Sequence, residues 1–135
     1  MKINKTLLTS ILAVVLILLL APTSFAQEHK KEEAFTIVEE QPTPKGGMSA
    51  FYKFIGENLK YPEQAKKDSI QGKVFIQFMV LASGKLAHIK ILKGIGNGCD
   101  EAALNVIKNS PSWIPGKEKG KAVRVWMTLP IIFRL

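Results

Sequence analysis

Cysteine is nearly absent from this sequence, because Cys99 is the only one in 135 residues. One thiol cannot form a disulfide within the chain, and it cannot supply the paired cysteines of a structural zinc site. Cys99 lies at the start of an expected helix, where the helix dipole could activate a thiol. No histidine lies beside it in the sequence, so burial at this loop–helix junction is the preferred interpretation.

Histidine is also scarce. His29 lies in a charged segment, and His88 alternates with Lys90 on an expected strand. Acid–base catalysis needs titratable groups that converge, and these two histidines do not. Asp100 and Glu101 are explained by the start of a helix, where the dipole favours negative charge. We therefore expect no catalytic site, no cofactor and no metal, and the sequence does not predict an enzyme.

Dense blocks of basic residues are missing. The formal net charge is +8, yet the longest lysine or arginine runs are the pairs Lys30-Lys31 and Lys66-Lys67. A nucleic-acid surface is therefore not indicated. The glycine-rich segment Gly94–Gly98 lacks both the GK[ST] ending and the complete GxGxxG pattern of phosphate-binding loops, so a nucleotide site is not predicted.

A long, mostly apolar run occurs only near the N-terminus. Lys2 and Lys5 precede the run Leu7–Ala21, and small residues at positions 24 and 26 fit a signal-peptidase site. The run of about 15 residues is shorter than the roughly 20 that span a bilayer as a helix. Residues 1–26 are therefore predicted to be a cleaved signal peptide, with a short membrane anchor as the alternative. Either way, the rest of the chain is expected outside the cytoplasm, in the periplasm.

The rest of the chain is predicted to consist of a linker and one domain. Residues 27–46 are expected to be a linker with an extra β-prone segment at Phe35–Val38, and the prolines and glycines of residues 41–47 should prevent regular structure there. Residues 47–135 are expected to form the domain. Residues 113–116 are expected to form a corner and residues 117–121 a polar loop.

Hydrophobic periodicity sets the expected elements of that domain. Helices are expected at Ser49–Leu59, Pro62–Asp68 and Asp100–Asn109, and strands at Gly72–Val80, Leu86–Lys93 and Val123–Leu135. This order predicts an α+β fold, a two-layer sandwich in which helices cover one face of a small antiparallel three-stranded sheet. The expected core is Phe54, Val74, Ile76, Phe78, Ile89, Ile91, Leu104, Ile107, Trp113, Val125, Met127 and Leu129.

The last stretch has the clearest pattern of the chain. From Val123 to Leu135 every second residue is apolar, which is typical of a strand with one face on a core. Pro130 cannot donate a ladder hydrogen bond, so it belongs on an edge strand or at a bulge. Trp126 falls on the face opposite the apolar set, where it is either covered or exposed as a binding anchor. We therefore expect a long terminal strand with at least part of one edge unpaired.

The order of several short motifs from Tyr61 to the C-terminus resembles the C-terminal domain of TonB. Residues 39–59 are similar to an extension of Bacteroidetes-type members of this family. The motifs are Tyr61-Pro62, Ala65, Gly72-Lys73-Val74, Gly84, Asp100 with Ala103, Trp113 with Pro115-Gly116, Gly120, Val123, and Pro130-Ile131 with Phe133.

The resemblance implies a binding function. TonB-like domains take up the TonB box, an extended segment of an outer-membrane transporter, beside their last strand and support energised transport. The peptide-binding residues implied here are Val123, Arg124, Val125, Trp126, Met127 and Thr128, with Tyr61 and Pro62 near the docking site.

The implied partners are a TonB-dependent outer-membrane transporter and, if the N-terminus stays anchored, the Exb motor proteins. A strand-swapped homodimer would be a further use of an unpaired edge. An alternative role is a soluble periplasmic adaptor of the same fold, which binds an exposed strand but transmits no force.

Overall fold

A computed structural model of the chain describes residues 34–135. The predicted signal peptide or anchor and the first part of the predicted linker lie outside the described residues. The elements in chain order are β1 Ala34–Phe35, β2 Thr43–Pro44, α1 Gly47–Asn58, α2 Glu63–Lys67, β3 Gly72–Val80, β4 Leu86–Lys93, α3 Cys99–Lys108, β5 Trp113–Ile114, β6 Gly116–Glu118 and β7 Lys121–Phe133.

The long strand β7 lies inside the main sheet. That sheet has five strands, of which four run in the order β1–β7–β3–β4 and the fifth, β6, pairs with the first residues of β7. Strands β3 and β7 pair antiparallel without a register break from Gly72–Phe133 to Val80–Val125. The α+β class is confirmed, but the predicted count of three strands was too low, because short flanking segments extend the sheet.

Two segments that we expected to be irregular contain short strands. Thr43–Pro44 pairs antiparallel with Trp113–Ile114, although we expected the prolines and glycines of residues 41–47 to prevent this. Gly116–Glu118 pairs with Lys121–Val123, although we expected a polar loop there. The first case is a tertiary effect, because Trp113–Ile114 lies far along the chain and satisfies the backbone groups of Thr43–Pro44. The second is a local hairpin, in which the two turn residues Lys119 and Gly120 both take a positive φ.

The hairpin β3–β4 has the bounds that the sequence predicted. The N–H of Leu81 donates to the carbonyl of Lys85 at 2.9 Å and closes the turn. Strand β4 contains two irregularities in its pairing with β3, and His88 takes a positive φ of 50° within one of them. Ala87 therefore pairs with Met79, on the face opposite Ile91, so simple alternation does not hold along β4.

The helix bounds differ slightly from the expected ones. Helix α1 begins at Gly47, and Gly46 rather than Ser49 occupies its capping position. Helix α3 begins at Cys99 and places Cys99, Ala103, Val106 and Ile107 on its buried side. We expected Leu104 in that stripe, but the 99, 103, 106, 107 spacing directs Val106 inward instead. No helix among residues 34–135 is long and apolar enough to cross a bilayer.

The helices cover one face of the sheet, and the core lies between them. On this face the β3 residues Val74, Ile76, Phe78 and Val80 are fully buried and pair with Ile131, Leu129, Met127 and Val125 of β7. Trp113 lies at the centre, in edge-to-face contact with the rings of Phe51 and Phe78, each 5.3 Å away. Of the expected core, Phe54, Ile89, Ile91, Met127 and Leu129 are only partly buried.

The other side of the sheet is named the outer face. The register of the three long strands places on it the residues Lys73, Phe75, Gln77 and Met79 of β3, Ala87, Lys90 and Lys93 of β4, and Trp126, Thr128, Pro130 and Ile132 of β7.

Candidate functional site

The outer edge of β7, on the side away from β3, has a covered part and an uncovered part. It is covered where β1 pairs with Arg124 and Val125, just after the residues Lys121–Val123 that pair with β6. Within residues 34–135, no strand pairs with this edge from Trp126 to Phe133. The uncovered part is named the docking edge. The expectation of a partly unpaired edge on the last strand agrees with this topology.

The turn of the β3–β4 hairpin shows which backbone groups of β7 point away from β3, at the docking edge. Leu81 bonds to Lys85, so its polar groups face β4. Successive strand residues alternate between their two neighbours, so Val80 and every second β3 residue before it face β7. Their β7 partners face back, and the intervening residues face outward. The outward-facing residues are Trp126, Thr128, Pro130 and Ile132.

Pro130 therefore sits where a missing N–H costs the protein nothing. Its position pairs with Phe75 across the sheet, but its backbone nitrogen belongs to the outward-facing set. A proline on the inward-facing set would have removed a hydrogen bond from the β3–β7 ladder. In the parallel pairing of Phe35 with Val125, the N–H of Trp126 faces the Phe35 carbonyl, so the docking edge offers N–H groups at Thr128 and Ile132 and a carbonyl without its N–H at Pro130.

The structure divides the strand residues that the family resemblance implied for binding. Val123 pairs with Gly116, Arg124 with Ala34 and Val125 with Phe35, so the backbone edge at these three positions already has a partner in the chain. Val125 is also fully buried. An incoming strand could use the outer edge at Arg124 and Val125 only by displacing β1.

Trp126, Met127 and Thr128 lie at the start of the docking edge. Trp126 is half-buried on the outer face, and its ring centroid lies 6.1 Å from that of His88. Met127 points into the core opposite Phe78, and Thr128 is exposed. Thr128 is therefore accessible through its outward backbone groups and its side chain, and Trp126 through its carbonyl and its side chain, whereas the backbone groups of Met127 face β3.

The Tyr61-Pro62 corner packs near the C-terminal end of β7. The Tyr61 ring contacts Phe133 edge-on at a centroid distance of 5.4 Å, and its hydroxyl donates to the carbonyl of Ile70. Burial, with a smaller contribution from Cys99, raises the pKa of Tyr61. Both residues of the corner line a cleft of about 640 Å³ against α3. Tyr61 therefore supports β7 from the core side.

A second, smaller groove adjoins the docking edge itself. It has a volume of about 180 Å³ and lies between α1 and the end of β7. This α1–β7 groove is lined without any charged side chain by Tyr52, Ile55, Gly56 and Leu59 of the α1 region and Pro130, Ile131 and Ile132 of β7. Tyr52 and Ile132 are 44% and 51% exposed, which is high for large apolar side chains beside a core.

Sequence reasoning missed this groove. The only signal was Gly56, a glycine inside the helical pattern of α1, which is unfavourable for a helix unless something needs the space. A Cβ at this position would meet no atom within 4 Å. The sequence could not show that the open space faces the end of β7.

Cys99 is buried at the start of α3 and has no exposed surface. Burial raises the pKa of its thiol, and the neighbouring carboxylates of Asp100 and Glu101 raise it further. The Asp100 carboxylate accepts hydrogen bonds from the N–H groups of Ile95 and Gly96, so it closes the preceding loop. Among residues 34–135, no group of three or more His, Cys, Asp and Glu side chains could hold a metal ion.

Comparison with known proteins connects this geometry to one family. Protein TonB2 of Pseudomonas aeruginosa is 35% identical over 77 residues, which are 56% of this chain and 28% of that protein. The NMR structure of the TonB C-terminal domain of Helicobacter pylori superposes with a TM-score of 0.51 at 25% identity, over 65% of this chain and 79% of that one. The family model described as Gram-negative bacterial TonB protein C-terminal matches residues 57–135. Because that match covers more than half of the chain, the protein belongs to the TonB C-terminal family.

Proposed function

We propose that this domain binds the TonB box of a TonB-dependent outer-membrane transporter by adding it as a strand to the docking edge, and so supports energised transport from the periplasm. The unpaired stretch from Trp126 to Phe133 carries the proposal. Such an edge pairs readily with an extended segment, since its backbone groups are already aligned.

Backbone pairing would supply affinity that depends little on the partner's sequence. Each new backbone hydrogen bond contributes about 0.5–1.5 kcal/mol net. The outward-facing residues Thr128 and Ile132 offer both backbone groups, while Pro130 offers only its carbonyl. A partner strand therefore gains a short row of bonds with one gap, which suits a reversible interaction.

Side-chain contacts would supply the specificity. An added strand alternates its side chains between the outer face and the helix side. On the helix side the α1–β7 groove lies directly beside Pro130, Ile131 and Ile132. An apolar side chain of the TonB box fits this groove, because no charged residue lines it. Specificity would then depend on the placement of that side chain relative to Pro130.

Coupling to the Exb motor proteins depends on the N-terminus. A chain retained in the inner membrane through its first segment would transmit force, whereas a chain cleaved before Gln27 would act as a periplasmic adaptor. The small residues at positions 24 and 26 favour the second role. Mass spectrometry of the protein recovered from its native cells distinguishes the two, since intact Met1 supports an anchor and an N-terminus at Gln27 supports an adaptor.

A proline substitution at the docking edge tests strand addition. Thr128→Pro removes an outward-facing N–H and leaves the β3–β7 ladder intact, as Pro130 already does two residues later. We expect at least a tenfold loss of affinity for a TonB-box peptide, measured by calorimetry. Thr128→Ala is the matched control, because it alters the side chain and keeps the N–H. If a folded Thr128→Pro protein binds the peptide as tightly as the parent chain, docking at this edge is rejected.

A further inference from the structure

The outer face of the sheet combines exposed apolar side chains with basic ones. Ile132 is 51% exposed on it, and Phe75 and Trp126 are half-buried. Lys73, Lys90 and Lys93 are exposed on the same face, as the pairing of β3 with β7 and β4 shows. Within residues 34–135, none of these three lysines forms an ion pair. This face therefore presents apolar surface bordered by uncompensated positive charge.

Negative charge is confined to other parts of the domain. Strands β3, β4 and β7 contain no aspartate or glutamate, so every charged residue on them is basic. The acidic residues of the described part lie on or beside the three helices, in residues 39–40 and at Glu118. The charged side chains of the outer face are thus all basic, and this face is complementary to an anionic surface.

The shape of this face decides between anionic partners. Three adjacent long strands form it, so it is an extended surface on which the lysines are spread over several strands rather than aligned along one groove. Spread basic charge with interleaved apolar side chains is the arrangement that binds the headgroup region of an anionic bilayer. The half-buried indole of Trp126 suits the same region, where tryptophan is enriched.

We propose that the outer face of the sheet docks onto anionic phospholipid bilayers, with Lys73, Lys90 and Lys93 near the headgroup phosphates and Trp126 and Ile132 in contact with the interface. The proposal does not depend on the proposed peptide binding. Docking in this orientation directs the helices away from the membrane and leaves the edge of β7 uncovered, so both interactions are compatible.

The emission of Trp126 in the full chain tests this orientation. Trp113 is 1% exposed and serves as an internal reference that lipid should not reach. We expect phosphatidylethanolamine–phosphatidylglycerol vesicles to shift Trp126 emission to the blue and a headgroup-labelled nitroxide lipid to quench it. Phosphatidylcholine vesicles should do neither, and salt should reverse both effects. Trp126→Phe should abolish the signal. Because Trp126 reports its own contact with lipid, the measurement holds whether or not the N-terminus also inserts.

Two double substitutions distinguish the effect of charge on the outer face from the effect of the net charge of the protein. Lys90→Glu with Lys93→Glu should weaken the partition onto anionic vesicles by about thirty-fold or more. Lys53→Glu with Lys108→Glu changes the net charge equally on exposed positions of α1 and α3, and it should have little effect.

Three results would overturn the proposal. The first is an equal loss in the two double variants, and the second is a Trp126 signal that does not distinguish anionic from neutral vesicles. The third is a shift of Trp126 emission by polyglutamate but not by vesicles, which would identify an acidic protein as the partner. The lipid comparison on the unaltered chain decides the matter even if a double variant fails to fold.

Discussion

The substitution Gly56→Leu should stabilise the domain and weaken peptide binding at the same time. Gly56 lies in the interior of α1, where glycine costs about 0.5–1 kcal/mol relative to alanine, and leucine has nearly the helix propensity of alanine. A Cβ at this position meets no atom within 4 Å, so the first carbon of the new side chain causes no clash. For a domain of this size, about 1 kcal/mol raises Tm by roughly 4–8 °C.

The same leucine would fill space in the α1–β7 groove. If an apolar side chain of the bound segment occupies this groove of about 180 Å³ in the parent chain, the new leucine would exclude that side chain, and the free energy of its burial would be lost. Full burial of such a side chain contributes about 1.5–3 kcal/mol, so affinity should fall by roughly ten- to hundredfold. Thermal unfolding and calorimetry with a TonB-box peptide measure the two effects on one protein sample.

Lys53→Leu is the matched control for this experiment. Lys53 lies on the same helix with its side chain 77% exposed, and it does not line the groove. The control should leave peptide affinity unchanged. A Gly56→Leu protein with a higher Tm and unchanged affinity would refute occupation of the groove, and it would leave strand addition at the docking edge intact. A lower Tm would instead show that the space at Gly56 is not open.

Three further predictions concern residues that stabilise the fold. Because the pKa of the Cys99 thiol is raised in the folded chain, the thiol ionises first in the unfolded chain as the pH rises above 9.0. The free energy of unfolding should therefore fall with rising pH, and it should fall less in Cys99→Ala. Urea titrations over this pH range measure both. Gly84→Ala should cost about 3 kcal/mol or more in urea unfolding, since φ is 85° and the new Cβ would lie 2.0 Å from the carbonyl oxygen of Trp113. Tyr61→Phe should cost about 1 kcal/mol by loss of the bond to Ile70. Its peptide affinity should match that of the parent chain, and a clear loss in a folded protein would assign Tyr61 a direct role in binding.

Local pattern predicted the elements whose stability depends on their own periodicity. The strands Gly72–Val80 and Leu86–Lys93 have the expected bounds, because alternation and a turn containing Gly84 specify a hairpin locally. The short strands β2 and β6 could not be found this way. Two or three residues carry no period. The partner of β2 lies far along the chain, and β6 pairs with the strand that follows it across Lys119 and Gly120.

The sequence likewise predicted one part of the candidate site and not another. The alternation after Val123 and the single Pro130 were sufficient to predict an edge strand with unpaired groups. They could not show that Ala34–Phe35 covers the edge at Arg124 and Val125, because register between distant segments is set by the whole packing. The docking position consequently moves toward the C-terminus, from the stretch centred on Val125 to the one that begins at Trp126.

The docking edge and the α1–β7 groove come from different parts of the chain. The edge lies within residues 57–135, which match the family, whereas most of α1 precedes that segment. Under the proposed function, backbone pairing would depend on the segment that matches the family, and the groove would depend on α1 packing beside the last strand. Two related domains could bind extended segments in the same way and still select different side chains, if only one of them carries this helix. Transfer of residues 47–58 between such domains should then change which peptide is preferred, while Thr128→Pro should weaken both.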